Sequence, residues 1–136
     1  MCVLRLSSKE NSFKPILEKT KLSLFPVLDI GEYRDVKKSR VCEINQATLH
    51  ISNKEWNDLE GQIEDVVCFI ESNRTELQQL FKLIEDLNAD LDFPIISKHD
   101  GNIISQGINF PSKLTSLVGN LNIGIGMTYY ENDFFD

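Results

Sequence analysis

The sequence predicts an α+β fold: a single sheet, mixed or mainly antiparallel, with helices packed mainly on one face. Three observations carry that expectation. Apolar and polar residues alternate near both ends of the chain, apolar residues recur with a period near 3.6 in its middle, and no low-complexity linker interrupts the 136 residues. One domain over residues 1–136, with a flexible tail at 131–136, is the corresponding expectation, and one core suffices at this length.

Val3-Leu4-Arg5-Leu6 opens the chain as a short strand. Asn11 or Ser12 is placed to cap a helix with Pro15 in its first turn and Ile16, Leu17 and Leu22 behind it, and Pro26 marks the exit into a loop. The charged stretch Gly31 to Lys38 reads as a surface loop, and Arg40 to Asn45 and Ala47 to Ser52 as short strands. In the second of these, Leu49 and Ile51 alternate with Thr48, His50 and Ser52, as a half-buried strand requires.

From Trp56 onward the period changes. Ile63, Val66, Val67 and Ile70 fall at i, i+3, i+4 and i+7, and Leu77, Leu80, Phe81 and Ile84 repeat that spacing. Thr75-x-x-Gln78 between the stripes has the form of a capping box, so two consecutive helices or one broken helix are expected. Leu91 to Ser97 and Ile103 to Asn109 read as a hairpin around Asp100-Gly101, with Pro94 arguing for an edge position or a strand start. Pro111 suits the first turn of a third helix carrying Leu114, Leu117, Val118 and Leu121, ended by Gly119 or Asn120. Ile123, Ile125, Met127 and Tyr129 close the fold as an alternating strand, giving the order β-α-β-β-α-α-β-β-α-β.

The formal net charge of -7 is unevenly spread: residues 1–54 carry ten Lys or Arg against six Asp or Glu, a net of +4, and residues 55–136 carry four against fifteen, a net of -11. Such a field bears on charged partners and solubility and says nothing of reaction chemistry. With 41% apolar and 26% charged residues the composition is that of a globular chain rather than a disordered one. No apolar run approaches the ~20 residues that span a bilayer, and Met1 leads into Cys2-Val3-Leu4-Arg5-Leu6 without a signal-peptide plan, so a soluble, cytoplasmic protein is expected. Cys2, Cys42 and Cys68 suit neither a disulfide framework nor a C-x-x-C pair; Cys68, among Val66, Val67, Phe69 and Ile70, is expected to be a buried thiol.

Motifs for chemistry are scarce. His50 and His99 stand in no metal-ligand frame, and they are expected on a polar strand face and in a hairpin loop. Gly124-Ile125-Gly126 lacks the third glycine of a dinucleotide turn and lies in a terminal strand, where the absent side chains let a helix or another backbone approach. There is no G-x-S-x-G elbow and no P-loop. Glu64-Asp65, Glu85-Asp86 and Asp90-x-Asp92 read as solvated faces, and the cluster Arg34, Lys37, Lys38, Arg40 is too small for a nucleic-acid footprint. The expectation is therefore a non-enzyme with no catalytic residues, no metal site and no cofactor, and with neither nucleic acid nor membrane as partner.

Trp56 after a polar strand, the two stripes joined through Asn73-Arg74-Thr75-Glu76-Leu77, and the ending Gly107-Ile108-Asn109-Phe110 through Leu114, Leu117 and Tyr129 resemble an uncharacterised family of small bacterial α+β proteins. The resemblance covers residues 48–130 well and the first third weakly. At Phe25-Pro26-Val27-Leu28 the chain departs from a Gly-x-x-Pro turn. The resemblance implies a fold more than an activity, and some such small acidic proteins are similar to immunity proteins, which neutralise toxins delivered between competing bacteria.

Charge and resemblance converge on a binding protein that inhibits a basic partner, an immunity protein occupying the cationic cleft of a toxic nuclease. Asp58, Glu60, Glu64, Asp65, Glu85, Asp86, Glu131 and Asp133 are the carboxylates expected to fill that cleft. Trp56, Tyr129, Tyr130, Phe134 and Phe135 are candidate anchors, although Trp56 and Tyr129 fit the core better. The alternative is a small ligand-binding or oligomeric domain with a housekeeping role, its two C-terminal glycines lining a pocket or a dimer contact; the oligomeric state stays open.

Overall fold

The computed structural model describes residues 1–96 and 106–131. Strand β1 (Cys2–Ser8) lies at the centre of a five-stranded sheet whose other members are β2 (Leu24–Leu28), β3 (Asn45–Ser52), β4 (Asn88–Ile96) and β5 (Ile123–Tyr130). The order is β2-β3-β1-β4-β5, every pair antiparallel except β4 and β5. With helices α1 (Leu59–Lys82) and α2 (Ser112–Asn120), the architecture is α+β with a mixed sheet. Register explains the core. Leu4 faces Leu49 on one side and Leu91 on the other, and Leu6 faces Ala47 and Ala89, so apolar rows accumulate on one face. There they pack with Ile63, Val66, Ile70, Leu77, Leu80, Leu114 and Val118 of the two helices. The opposite face is polar: Arg5 pairs with Asp92 at 3.0 Å, and the Thr128 hydroxyl donates to Asp92 at 2.8 Å.

Several expectations are corrected. The first helix is only a 3₁₀ turn, Lys14–Ile16, because Phe13 and Ile16 are buried there while Leu17 is 39% exposed, four polar residues follow, and Leu22 reaches the core from beyond the turn. One buried turn does not repay helix nucleation. Pro26 lies inside β2 and not in a loop; β2 is an edge strand whose register shifts between Leu24 and Val27, so the missing N–H interrupts little. Residues 40–44 form no strand beyond the single bridge of Val41 to Tyr33. In β3 the alternation slips by one at Ile51, where the pairing jumps from Val3–His50 to Cys2–Ser52, and this bulge turns Ser52 inward.

The two helical stripes belong to one helix broken at Asn73 (φ -120°, ψ 18°), whose side-chain amide donates to the Phe69 carbonyl at 2.9 Å. Only Asn73 leaves the helical region, so the Thr75-x-x-Gln78 box has no run of amides to cap. The expected hairpin falls largely outside the described residues: Ser97, His99, the Asp100-Gly101 turn and residues 103–105 lie beyond them, and 106–109 are irregular. On its far side from β1, β4 pairs with β5, parallel, with Leu91 beside Ile125; parallel strands need a crossover, and α2 supplies it. The pairing of β4 with β1 stops at Asp92, so Pro94 withholds no hydrogen bond from β1. The chain reverses after α2 at Asn122 (φ 56°), not at Gly119.

Candidate protein-binding surface

The start of α1 is built by its own residues. Asp58 accepts from the Gly61 amide at 2.9 Å as the N-cap, and a side chain at Gly61 would collide with that carboxylate, so glycine keeps the cap closed. Immediately before the cap, the half-buried Trp56 meets Tyr130 edge-on, with ring centroids 4.4 Å apart and planes at 79°. This contact brings the end of β5, and with it Glu131, to the beginning of α1. A cleft of about 450 Å³ opens here, lined by Asn57, Asp58, Glu60, Ile63, Ile108 and Asn109. On the same turn Gln62 is fully buried; its amide nitrogen donates to the Glu55 carbonyl at 3.0 Å, and its Oε1 has no partner among the described residues.

The expected carboxylates separate into two groups with different surroundings. Glu60 and Glu64 lie one turn apart on α1, exposed, and among the described residues neither is engaged by another side chain; Glu131 is exposed likewise. Asp58 is spent on its cap and Asp65 accepts from the Ser52 hydroxyl at 2.7 Å. Glu85 and Asp86 follow the far end of the 24-residue α1, about 36 Å along the helix axis, and so do not share a patch with Glu60. Glu85 is exposed. Asp86 is a structural knot: it accepts from the Ser8 hydroxyl at 2.5 Å, the Asn11 amide nitrogen at 2.7 Å, and the backbone N–H groups of Lys9 and Glu10 at 3.0 and 3.1 Å. The Ser8 and Asn11 bonds, with those two amides, hold its carboxyl down at about 2. Asp133, Phe134 and Phe135 lie outside the described residues.

Two residue environments, those of Tyr129 and Cys68, differ from expectation. Tyr129 is 55% exposed because Ile123 and Ile125 alone among the alternating residues of β5 join the core; Met127 is exposed as well. Cys68 is exposed, since it lies off the buried Ile63, Val66, Ile70 row, and it lines a shallow groove with Lys54, Asp65 and Asn73. The inert thiol is Cys2, which burial pushes up to about 12. The neighbour of Gly124 is the Asp90 side chain and that of Gly126 the Leu91 carbonyl, 3.3 Å from where a Cβ would stand. Of the two approaches expected, a helix or another backbone, it is the neighbouring strand β4 that comes close. One contributor was absent from the expected set: Glu55, exposed and adjacent to Trp56, belongs to the same end of α1, and the uninterrupted run of acids without a base from residue 55 to residue 73 is the signal for it.

Among the described residues no three His, Cys, Asp or Glu side chains gather as a metal site, and no helix is long and apolar enough to cross a membrane. No family model, no curated protein and no solved structure matches the chain.

Proposed function

We propose that the protein acts by binding a basic protein partner through the start of α1 and the end of β5, as an immunity protein that neutralises a nuclease-type toxin. The observation that supports this most is the pairing of exposed carboxylates, Glu60, Glu64 and Glu131 without a side-chain partner among the described residues and Glu55 near the Met1 ammonium, with the half-buried Trp56–Tyr130 pair and the exposed Tyr129. Interfaces concentrate energy in aromatic anchors and use surrounding charge for steering and register. A cationic cleft built for phosphate offers the complementary surface. The resemblance to small bacterial α+β proteins, some similar to immunity proteins, points the same way. The compartment is that of the toxin's target, the cytoplasm, and no catalytic role is assigned to any residue.

The test is capture of partners from the source cells by the immobilised protein, followed by binding kinetics. Retention of a basic protein, with association slowed at least about tenfold by Glu60→Lys with Glu64→Lys and also by raised salt, is the expected result. Retention of a small molecule or of acidic proteins only, or kinetics indifferent to both changes, would overturn it.

A further inference from the structure

Residues 29–42 form an ordered arm rather than a featureless loop. The Gly31 amide donates to the Cys42 carbonyl at 2.9 Å, the Cys42 amide to the Glu32 carbonyl at 2.8 Å, and the Arg34 amide to the Arg40 carbonyl at 2.8 Å, with Tyr33 and Val41 bridged between them. Its base is tied down: the Ile30 amide donates to Asn45 Oδ1 at 3.0 Å, and Lys14 pairs with Glu32 and, at 3.7 Å, with Asp29. Its tip is organised by Asp35, which accepts from the Ser39 hydroxyl and amide and from the Arg40 amide, while Lys38 is held in the left-handed region (φ 56°). An L-residue takes that conformation only where its surroundings impose it.

What this arm displays does not serve folding. Val36, at the tip, is 100% exposed, and Tyr33 and Val41 are 51% and 48% exposed. Between them stand Arg34, Lys37, Lys38 and Arg40, all exposed, and the one carboxylate among residues 33–41 is Asp35, already engaged. Residues 33–41 thus carry +3 on a chain of net -7, while the whole arm, with Asp29 and Glu32 at its base, carries +1. Solubility does not account for it, since apolar tips oppose solubility and the chain is richly charged elsewhere.

We infer that the arm is a peripheral membrane-contact element for anionic phospholipid surfaces. The tip is amphipathic: Val36 stands beside Lys37 and Lys38 where the arm turns, with Arg34 and Arg40 behind them, so an aliphatic side chain and cations are offered together, as an anionic bilayer interface requires. A single-stranded nucleic acid is matched less well, because valine offers no ring for a base to stack on. An acidic peptide would use the cleft beside the arm, lined by Arg34, Arg40 and Val41, and would leave Val36 in water. Each Lys or Arg near an anionic bilayer adds a modest attraction, and a single small apolar side chain anchors only weakly, so the contact is reversible and salt-sensitive. The acidic remainder of the molecule repels the same surface, but its reach is limited to about 8 Å at physiological ionic strength, so the arm makes the approach.

The experiment is co-sedimentation of the full chain with vesicles of phosphatidylcholine alone and of phosphatidylcholine and phosphatidylserine in equal parts, at low and physiological salt. The expected result is sedimentation with the anionic vesicles only. Lys37→Glu with Lys38→Glu should weaken it by more than about tenfold, and the uncharged Val36→Ser by roughly threefold to tenfold. Both variants change exposed side chains, Lys38 giving up its place 5.8 Å over the Tyr33 ring, and unaltered melting curves establish that the fold is intact. Absence of sedimentation with anionic vesicles, binding unaffected by Val36→Ser, or tighter retention on oligothymidylate or polyglutamate at the same salt would each overturn the inference. The arm is independent of the carboxylates around Trp56, so either proposal can fail without the other.

Discussion

The two ends of α1 carry similar charge and put it to opposite use. At the C-terminal end, Asp86 accepts four hydrogen bonds from residues 8–11 and ties the exit of β1 to the turn before β4. At the N-terminal end, Glu60 and Glu64 project from the first two turns with no internal partner among the described residues, beside an aromatic pair drawn from residues 74 apart. A carboxylate saturated with internal donors is lost to a partner, since rebinding it elsewhere means unsatisfying two backbone amides. A carboxylate in solvent gives up only hydration. The net charge of a segment therefore overstates what it can offer to another molecule.

The strongest way to break this contrast is Asp86→Ala. It leaves the Ser8, Lys9, Glu10 and Asn11 donors without their shared acceptor, so the melting temperature at neutral pH should fall by several degrees, whereas Glu64→Ala should leave it unchanged. The sign with pH follows from linkage. Because folding lowers the Asp86 carboxyl from 3.8 to about 2, its contribution is fully present above the unfolded value, fades as pH falls between the two, and is lost below about 2. The gap between wild type and Asp86→Ala in thermal melts should close over that window; a gap unchanged on acidification would show that the carboxylate acts in some other way.

A smaller effect sharpens the description of the open end. Gln62→Met removes a buried acceptor that has no partner among the described residues, and the Glu55 carbonyl it leaves behind still accepts from the Asp58 amide at 3.0 Å. The volume is nearly kept, so chemical denaturation should show a gain of about 0.5–1 kcal/mol. A loss of more than about 1 kcal/mol would mean that the amide organises the entry to α1. The smallest effect is expected at Glu60→Lys with Glu64→Lys, where unfolding free energy should stay within about 0.5 kcal/mol of wild type even though both charges are reversed. A larger loss would place these carboxylates with Asp86 as structural groups and would remove the physical basis for a binding role.

Local pattern carried far in this chain. The period of 3.6 across Ile63, Val66, Ile70 and Leu77, Leu80 placed one face of α1 in the core, because a stripe of that spacing has no other way to leave water, and Ile84 continues it just past the helix end. Alternation around Leu4, Leu49, Leu91 and Ile123 did the same for the sheet. Where local pattern was thin it misled. Pro15 and a cap signal suggested a helix whose apolar stripe ends after one turn.

What the sequence determined by itself was the set of periodic segments, their apolar faces and the acidic excess after residue 54, since these depend on side-chain spacing and on counting. What only the tertiary structure decided was which strand lies beside which, that Trp56 meets Tyr130, and which carboxylates are spent on Ser8, Ser52 or a helix cap and which are left in water. The reason is range. Propensity and periodicity act within a turn or two of chain, while strand order, the Asp86 knot and the end of α1 join residues separated by dozens of positions, and those contacts are chosen by the packing of the whole core.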